Sequence, residues 1–72
     1  MNNKNKYYNA FKENNGFLNE ISLGESIGLD EFTTREIISQ LLSEYKIEYS
    51  ENKACNYSLV KTINRPNKKN SR

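Results

Sequence analysis

The stretch from Leu23 to Ile38, which reads LGESIGLDEFTTREII, constrains the fold more than any other part of the chain. Leu23 and Ile27 lie four residues apart and share one face of a short helix. Gly28 suits the left-handed position just past a helix end, and Leu29 can then fold back on Leu23. The pattern therefore predicts one helix, a tight turn and a second helix.

The later of these two helices carries several start signals. Thr33 is predicted as its N-cap, with Glu36 as the capping-box partner and with Phe32 and Ile37 as a hydrophobic staple. Apolar residues then recur with helical period and predict one buried stripe, which consists of Ile37, Ile38, Leu41, Leu42 and Tyr45. The opposite face is predicted to be polar and mostly uncharged, with Arg35, Glu36, Ser39, Gln40 and Ser43.

An aromatic group near the start of the chain predicts an earlier helix from about Lys4 to Asn14. Tyr7, Tyr8 and Phe11 fall at i, i+1 and i+4, so they share one face of that helix. At least two of the three are expected to lie in the core.

The segment between the first two helices contains turn and cap signals. Gly16 suits the left-handed position after a helix, and Phe17–Leu18 is predicted to form a strand of one or two bridges. Two N-caps fit the next helix: Asn19, which gives a longer helix, and Ser22, which makes a capping box with Glu25. The sequence leaves this choice open.

After Lys46 the apolar period changes from helical to alternating, which is typical of strands. The alternation is carried by Ile47 and Tyr49 on one strand and by Cys55, Tyr57 and Leu59 on the next. The residues from Glu51 to Lys53 are predicted to form the turn. A hairpin of this size is not stable alone, so its apolar face is expected to pack on the helices.

The length and composition limit what the chain can do. Its 72 residues suit one small domain, and the single cysteine with no histidine excludes an internal disulfide and a zinc site of the usual kind. We find no nucleophile with its base and no Gly-rich phosphate loop, so no enzyme activity, cofactor or small-molecule ligand is predicted. Because no apolar run is long enough to span a membrane, the chain is predicted to be soluble and cytoplasmic. Cys55 is predicted to be a small buried strand residue.

Charge is strongly segregated along the chain. Residues 1–12 carry three cations, whereas residues 13–60 carry nine acids against three cations and have a net charge of −6. Residues 61–72 carry five cations and no acid, and they are predicted to form a disordered basic tail. The prediction is thus an α+β chain, with one helix-and-hairpin domain over residues 1–60 and a tail over residues 61–72.

Three helices followed by a β-hairpin, with Gly28-Leu29 between the last two helices, resembles the winged helix-turn-helix domains of bacterial and phage DNA-binding proteins. The likeness covers about residues 4–60, and the family's core spacing matches Thr34, Ile37, Ile38, Leu41 and Ile47. Gly24 stands where the family has alanine; it is equally suited to close helix contact, but it costs about 1 kcal/mol of helix propensity. Tyr45 stands where many members have a glycine before the hairpin.

The resemblance implies binding of double-stranded DNA, with the third helix in the major groove and the hairpin as a wing against the backbone or the minor groove. The residues predicted to contact DNA on the third helix are Thr33, Thr34, Arg35, Ser39 and Gln40. Arg35 suits guanine and Gln40 suits adenine. Phosphate contacts are predicted for Lys53 at the wing tip and for Lys61, Arg65, Lys68 and Lys69 in the tail. Family habit suggests transcriptional or replication control on a mobile or accessory element.

Two other interpretations stay open at this point. The acidic body favours a winged helix that acts as a protein–protein adaptor, because an acidic surface repels phosphate. A homodimer in which the partner copy supplies a basic surface is the third possibility. For each predicted contact there is also a purely structural alternative: Thr33 as a cap, Arg35 paired with Glu31 or Glu36, and Lys53 as a solvated turn residue.

Overall fold

The computed structural model describes residues 2–61, which form an α+β domain of three helices followed by a β-hairpin. The helices are α1 (Asn3–Asn14), α2 (Glu20–Ser26) and α3 (Glu31–Ser43), and the strands are β1 (Ile47–Asn52) and β2 (Cys55–Leu59). This layout is the one predicted from the sequence and is consistent with that of a winged helix. The predicted disordered tail lies outside the described residues, apart from Lys61.

The core lies where the three helices meet the inner face of the hairpin. All three helices and both strands contribute to it, through Tyr7, Phe11, Leu23, Leu29, Ile37, Ile38, Leu41, Ile47 and Cys55. The predictions that at least two of the aromatic residues of α1 are buried, and that Cys55 is buried, are confirmed. Within residues 2–61 no helix is long and apolar enough to cross a membrane.

The connection from α1 to α2 differs from the sequence prediction at one point. Phe17–Leu18 forms a bend instead of a strand, because the side chain of Asn14 both accepts the Leu18 N–H and donates to the Leu18 carbonyl. The open choice of N-cap is settled as well. Asn19 caps α2, with its side-chain oxygen accepting the Ser22 N–H at 2.8 Å.

The stop between α2 and α3 matches the prediction in detail. Gly28 has a φ of 88°, in the left-handed region that suits glycine. Its N–H donates to the Glu25 carbonyl, and the Leu29 N–H reaches back to the carbonyl of Gly24. This pair of hydrogen bonds is the Schellman motif, and the buried side chains of Leu29 and Leu23 supply its hydrophobic contact.

The start of α3 lies three residues earlier than predicted. The N-cap is Asp30, whose carboxylate accepts the Thr33 N–H at 2.8 Å, so Thr33 is the third residue of the helix. A carboxylate at this position also interacts favourably with the helix dipole. Phe32 is 71% exposed and forms no buried staple with Ile37. The prediction of Thr33 as N-cap was therefore wrong, although the helix itself is confirmed.

α2 approaches α3 closely at Gly24. A Cβ atom at this position would lie 2.1 Å from Thr34 Oγ1, and also 3.0 Å from both Cβ and Cγ2 of the same side chain. Thr34 is fully buried and donates its hydroxyl to the Asp30 carbonyl at 2.8 Å. Glycine suits this position because Thr34 fills the space that a methyl group would need.

The C-terminal end of α3 overturns the prediction that Tyr45 continues the buried stripe. Tyr45 has a φ of 59° and is 79% exposed. Its N–H donates to the Leu42 carbonyl and the Lys46 N–H donates to the Leu41 carbonyl, which is a second Schellman motif. The position requires a left-handed backbone conformation, which costs a non-glycine residue about 1 kcal/mol.

The hairpin is antiparallel, with Ile47 opposite Leu59 and Tyr49 opposite Tyr57. Between Tyr49 and Asn52 the register shifts, so β1 bulges near its end. The turn consists of Lys53 and Ala54, whereas the sequence prediction placed it at Glu51–Lys53.

The helices hold the hairpin through polar contacts around Glu20, the first residue of α2. The Glu20 carboxylate accepts both the backbone N–H and the side-chain amide of Asn56, at 3.1 and 3.2 Å. Tyr7 donates its hydroxyl to the Glu20 carbonyl, and the Ala54 N–H donates to the Gly16 carbonyl. The turn and the bulged region of the hairpin are thus fixed to the helical layer.

Candidate nucleic-acid interface

A groove of about 140 Å³ separates the outward side of α3 from the inner face of the hairpin. Its helix wall and floor are Arg35, Ile38, Ser39 and Leu42, and its hairpin wall is Tyr49 with Tyr57. Because α3 and the hairpin border the same groove, their exposed side chains form one continuous surface. We call this feature the helix–wing groove.

The polar face of α3 is divided into two stripes by the helix geometry. Arg35 and Ser39, four residues apart, line the helix–wing groove. Glu36, Gln40 and Ser43 are exposed and follow the helical period along a neighbouring stripe that does not line the groove. Arg35 and Gln40, the two predicted base readers, therefore point in different directions.

Arg35 forms an ion pair with Glu31, as the purely structural interpretation of this residue predicts. Its Nε and Nη2 atoms both donate to one carboxylate oxygen of Glu31, at 2.8 and 2.7 Å. Both side chains remain more than half exposed, so water screens the pair. Among the described residues that line the helix–wing groove, Arg35 is the only cation.

The start of α3 determines how accessible two of the predicted DNA contacts are. Thr34 is fully buried between α2 and α3, so it cannot contact DNA, and the prediction for this residue was wrong. Thr33 is partly exposed in the first turn, where its backbone N–H is already bonded to Asp30. Ser39 and Gln40 are exposed, as the sequence predicted.

The predicted phosphate contacts lie away from α3. Lys53 is exposed at the tip of the hairpin, where its φ of 58° places it in the left-handed region. Lys61 is exposed and lines a second, wider groove of about 620 Å³ between the end of α1 and the outer face of the hairpin. Arg65, Lys68 and Lys69 lie outside the described residues.

Sequence reasoning missed the tyrosine pair on the hairpin. Tyr49 and Tyr57 sit opposite each other with ring centroids 5.1 Å apart, and Tyr49 is 76% exposed. The alternating pattern correctly gave Tyr49 the same side as Ile47, but it equated that side with the core. Burial raises the pKa of the Tyr57 hydroxyl, and the neighbouring Tyr49 raises it further.

Among residues 2–61 no group of three or more histidine, cysteine, aspartate or glutamate side chains could hold a metal ion. Burial raises the pKa of the Cys55 thiol, which keeps it protonated and unreactive. Comparison of the chain with models of protein families, with curated proteins and with solved structures found no match.

Proposed function

We propose that this protein binds double-stranded DNA without catalysis, using the exposed face of α3 and the hairpin. The observation that carries the proposal is the continuous surface that these two elements form around the helix–wing groove. A helix with exposed polar side chains beside a projecting hairpin suits simultaneous contact with a major groove and the adjacent backbone. A small cytoplasmic regulator of transcription or replication, acting on a mobile or accessory element, is the role we propose.

Affinity and sequence preference come from different parts of the chain in this proposal. The exposed face of α3 has few cations, so the cations of residues 61–72 supply most of the attraction to phosphate. Gln40 is the candidate base contact, since its side chain is exposed on α3 and carries both a hydrogen-bond donor and an acceptor.

The test is titration of a labelled duplex of random sequence with the full chain at several salt concentrations. A variant with Lys61, Arg65, Lys68 and Lys69 changed to glutamine keeps the domain and removes four cations. The wild type is expected to bind at low salt, and the variant to lower the slope of log K against log salt by up to about 3.6. Absence of duplex binding by the wild type at low salt would overturn the proposal.

Base readout is tested separately with Gln40→Ala, against Ser43→Ala as a control on the same stripe. Gln40→Ala is expected to relax the sequence preference selected from a random duplex library, with a loss of about 1–3 kcal/mol of discrimination at one base pair. Equal weakening on every sequence would exclude Gln40 from base readout.

A second function, that of a protein–protein adaptor, is favoured by the negative charge of residues 13–60 and by the ion pair between Arg35 and Glu31. Residues 13–60 have a net charge of −6, and Glu31 already forms an ion pair with Arg35 at the helix–wing groove. Phe17 and Phe32 are also largely exposed, which suits a protein partner. A chain that fails to bind duplex DNA at low salt would favour this function.

A further inference from the structure

We propose that the helix–wing groove holds one sugar–phosphate strand of the bound duplex, with Arg35 and Ser39 on a phosphate and Tyr49 against a deoxyribose. This inference rests on the proposed function and makes it more specific. It also gives Arg35 a role different from the guanine contact that the sequence predicted.

The size of the groove selects this kind of occupant. A volume of about 140 Å³ is well below the 300–1,000 Å³ or so of a site for a drug-sized molecule. A phosphate with the edge of its sugar is a group of this scale, and the open ends of a groove suit a chain that continues in both directions.

The two walls of the groove have the two chemistries of a nucleic acid backbone. On the helix side, Arg35 offers a guanidinium and Ser39 offers a hydroxyl, which are common donors to phosphate oxygens. On the hairpin side, the exposed ring of Tyr49 offers a flat apolar surface, held in place by Tyr57. Along a sugar–phosphate strand, an anionic phosphate alternates with a deoxyribose, whose C–H faces can pack against an aromatic ring.

The position of the groove agrees with the same assignment. If α3 lies in a major groove and the hairpin reaches the neighbouring minor groove, one backbone strand must pass between them. The space between these two elements is the helix–wing groove. Gln40 lies on the neighbouring stripe of α3, away from this strand, where a base edge is the available contact.

Glu31 sets the strength of the phosphate contact. Its carboxylate oxygen occupies the Nε and Nη2 donors of Arg35, so a phosphate competes with it for those two groups. Glu31→Gln removes this competition and also one negative charge beside the groove. The variant is expected to bind duplex DNA more tightly than the wild type, by about two- to tenfold at low salt.

The decisive experiment compares two exposed tyrosines in the full chain. Tyr49 and Tyr45 are 76% and 79% exposed, and of the two only Tyr49 lines the groove. Tyr49→Ala is expected to weaken duplex binding about two- to tenfold, equally on two unrelated sequences, whereas Tyr45→Ala changes it by less than about twofold. Tyr49→Phe keeps the ring and is expected to bind like the wild type.

Salt dependence separates the two walls of the groove. Arg35→Gln is expected to lower the slope of log K against log salt by about 0.9, and Tyr49→Ala to leave that slope unchanged. Melting temperatures measured on every variant identify any loss of folding, and Tyr49→Phe together with Arg35→Gln keeps the test decisive if Tyr49→Ala is unstable.

The outcomes distinguish this inference from the function on which it rests. If the wild type binds no duplex at low salt, the proposed function fails and the inference fails with it. If the wild type binds but Tyr49→Ala and Tyr45→Ala behave alike, only the inference is overturned. A Tyr49→Ala defect confined to one duplex sequence would show base contact and would also overturn it.

Discussion

Replacing Gly24 by alanine tests the central packing contact of the domain. In an unrestricted helix the change would stabilise the protein by about 1 kcal/mol, because alanine has the better helix propensity. Here the new methyl group would lie 2.1 Å from Thr34 Oγ1, which is far inside any normal contact distance. The added methyl and the crowded hydroxyl therefore cannot both keep their places.

The magnitude follows from how little Thr34 can move. Its side chain is β-branched, fully buried and hydrogen-bonded to the Asp30 carbonyl. Overpacking of a core costs about 1–3 kcal/mol, and loss of the hydrogen bond adds about 0.5–1.5 kcal/mol. After the gain in propensity, Gly24→Ala is expected to lower the free energy of unfolding by about 0.5–3.5 kcal/mol.

Thermal unfolding followed by far-ultraviolet circular dichroism measures this effect. For a domain of this size the loss corresponds to a fall of roughly 2–28 °C in the melting temperature. In the double variant with Thr34→Ala, only the Cβ contact at 3.0 Å remains, so the two changes should be clearly non-additive, with the double variant more stable than their sum predicts. A Gly24→Ala protein at least as stable as the wild type would refute the reasoning.

Three further predictions concern the helix ends and the polar link to the hairpin. Tyr45→Gly should raise the melting temperature by roughly 4–8 °C and Gly28→Ala should lower it by a similar amount, because both positions have a left-handed φ that costs other residues about 1 kcal/mol. Asp30→Ala should lower the melting temperature clearly more than Thr33→Ala, since Asp30 is the N-cap. Burial raises the pKa of Glu20, but hydrogen bonds, mainly from Asn56, outweigh it and hold the pKa below its usual value. The stability that this lowered pKa contributes is present above the ordinary glutamate pKa and is lost as pH falls through the lowered value. In melts at a series of pH values, Glu20→Gln is expected to be about 1–3 kcal/mol less stable than the wild type at neutral pH. The stability of the variant should also decline less steeply in acid.

The sequence predicted the elements of this fold better than their ends. A glycine followed by an apolar residue after a helical pattern is typical of a Schellman motif, so the turn at Gly28 and Leu29 was predictable. The start of α3 was not, because Asp30 and Thr33 are both good N-cap residues and only Thr33 has a glutamate three residues later. The structure selects Asp30, and the helix that starts there brings Thr34 against Gly24.

The missed part of the candidate site depends on geometry that residue patterns do not contain. Alternation assigns each strand residue to a side, and it assigned Tyr49 and Ile47 correctly to the same one. It carries no information on where the covering helix stops, so the same side is 1% exposed at Ile47 and 76% exposed at Tyr49. The bulge beyond Tyr49 could not be predicted either, because no residue pattern in the sequence indicates which strand gains the extra residue.

The ion pair between Arg35 and Glu31 is the point at which the DNA and adaptor proposals diverge. Both side chains are more than half exposed, and an ion pair of this kind contributes only about 0–1 kcal/mol. A phosphate that offers several oxygens can replace the Glu31 carboxylate with a charge-assisted contact at least as favourable. In the DNA proposal, Glu31 is therefore expected to weaken binding without preventing it, and the acidic charge of residues 13–60 to limit affinity without excluding DNA. An adaptor would show the opposite behaviour: Glu31→Gln would leave its duplex binding absent at every salt concentration.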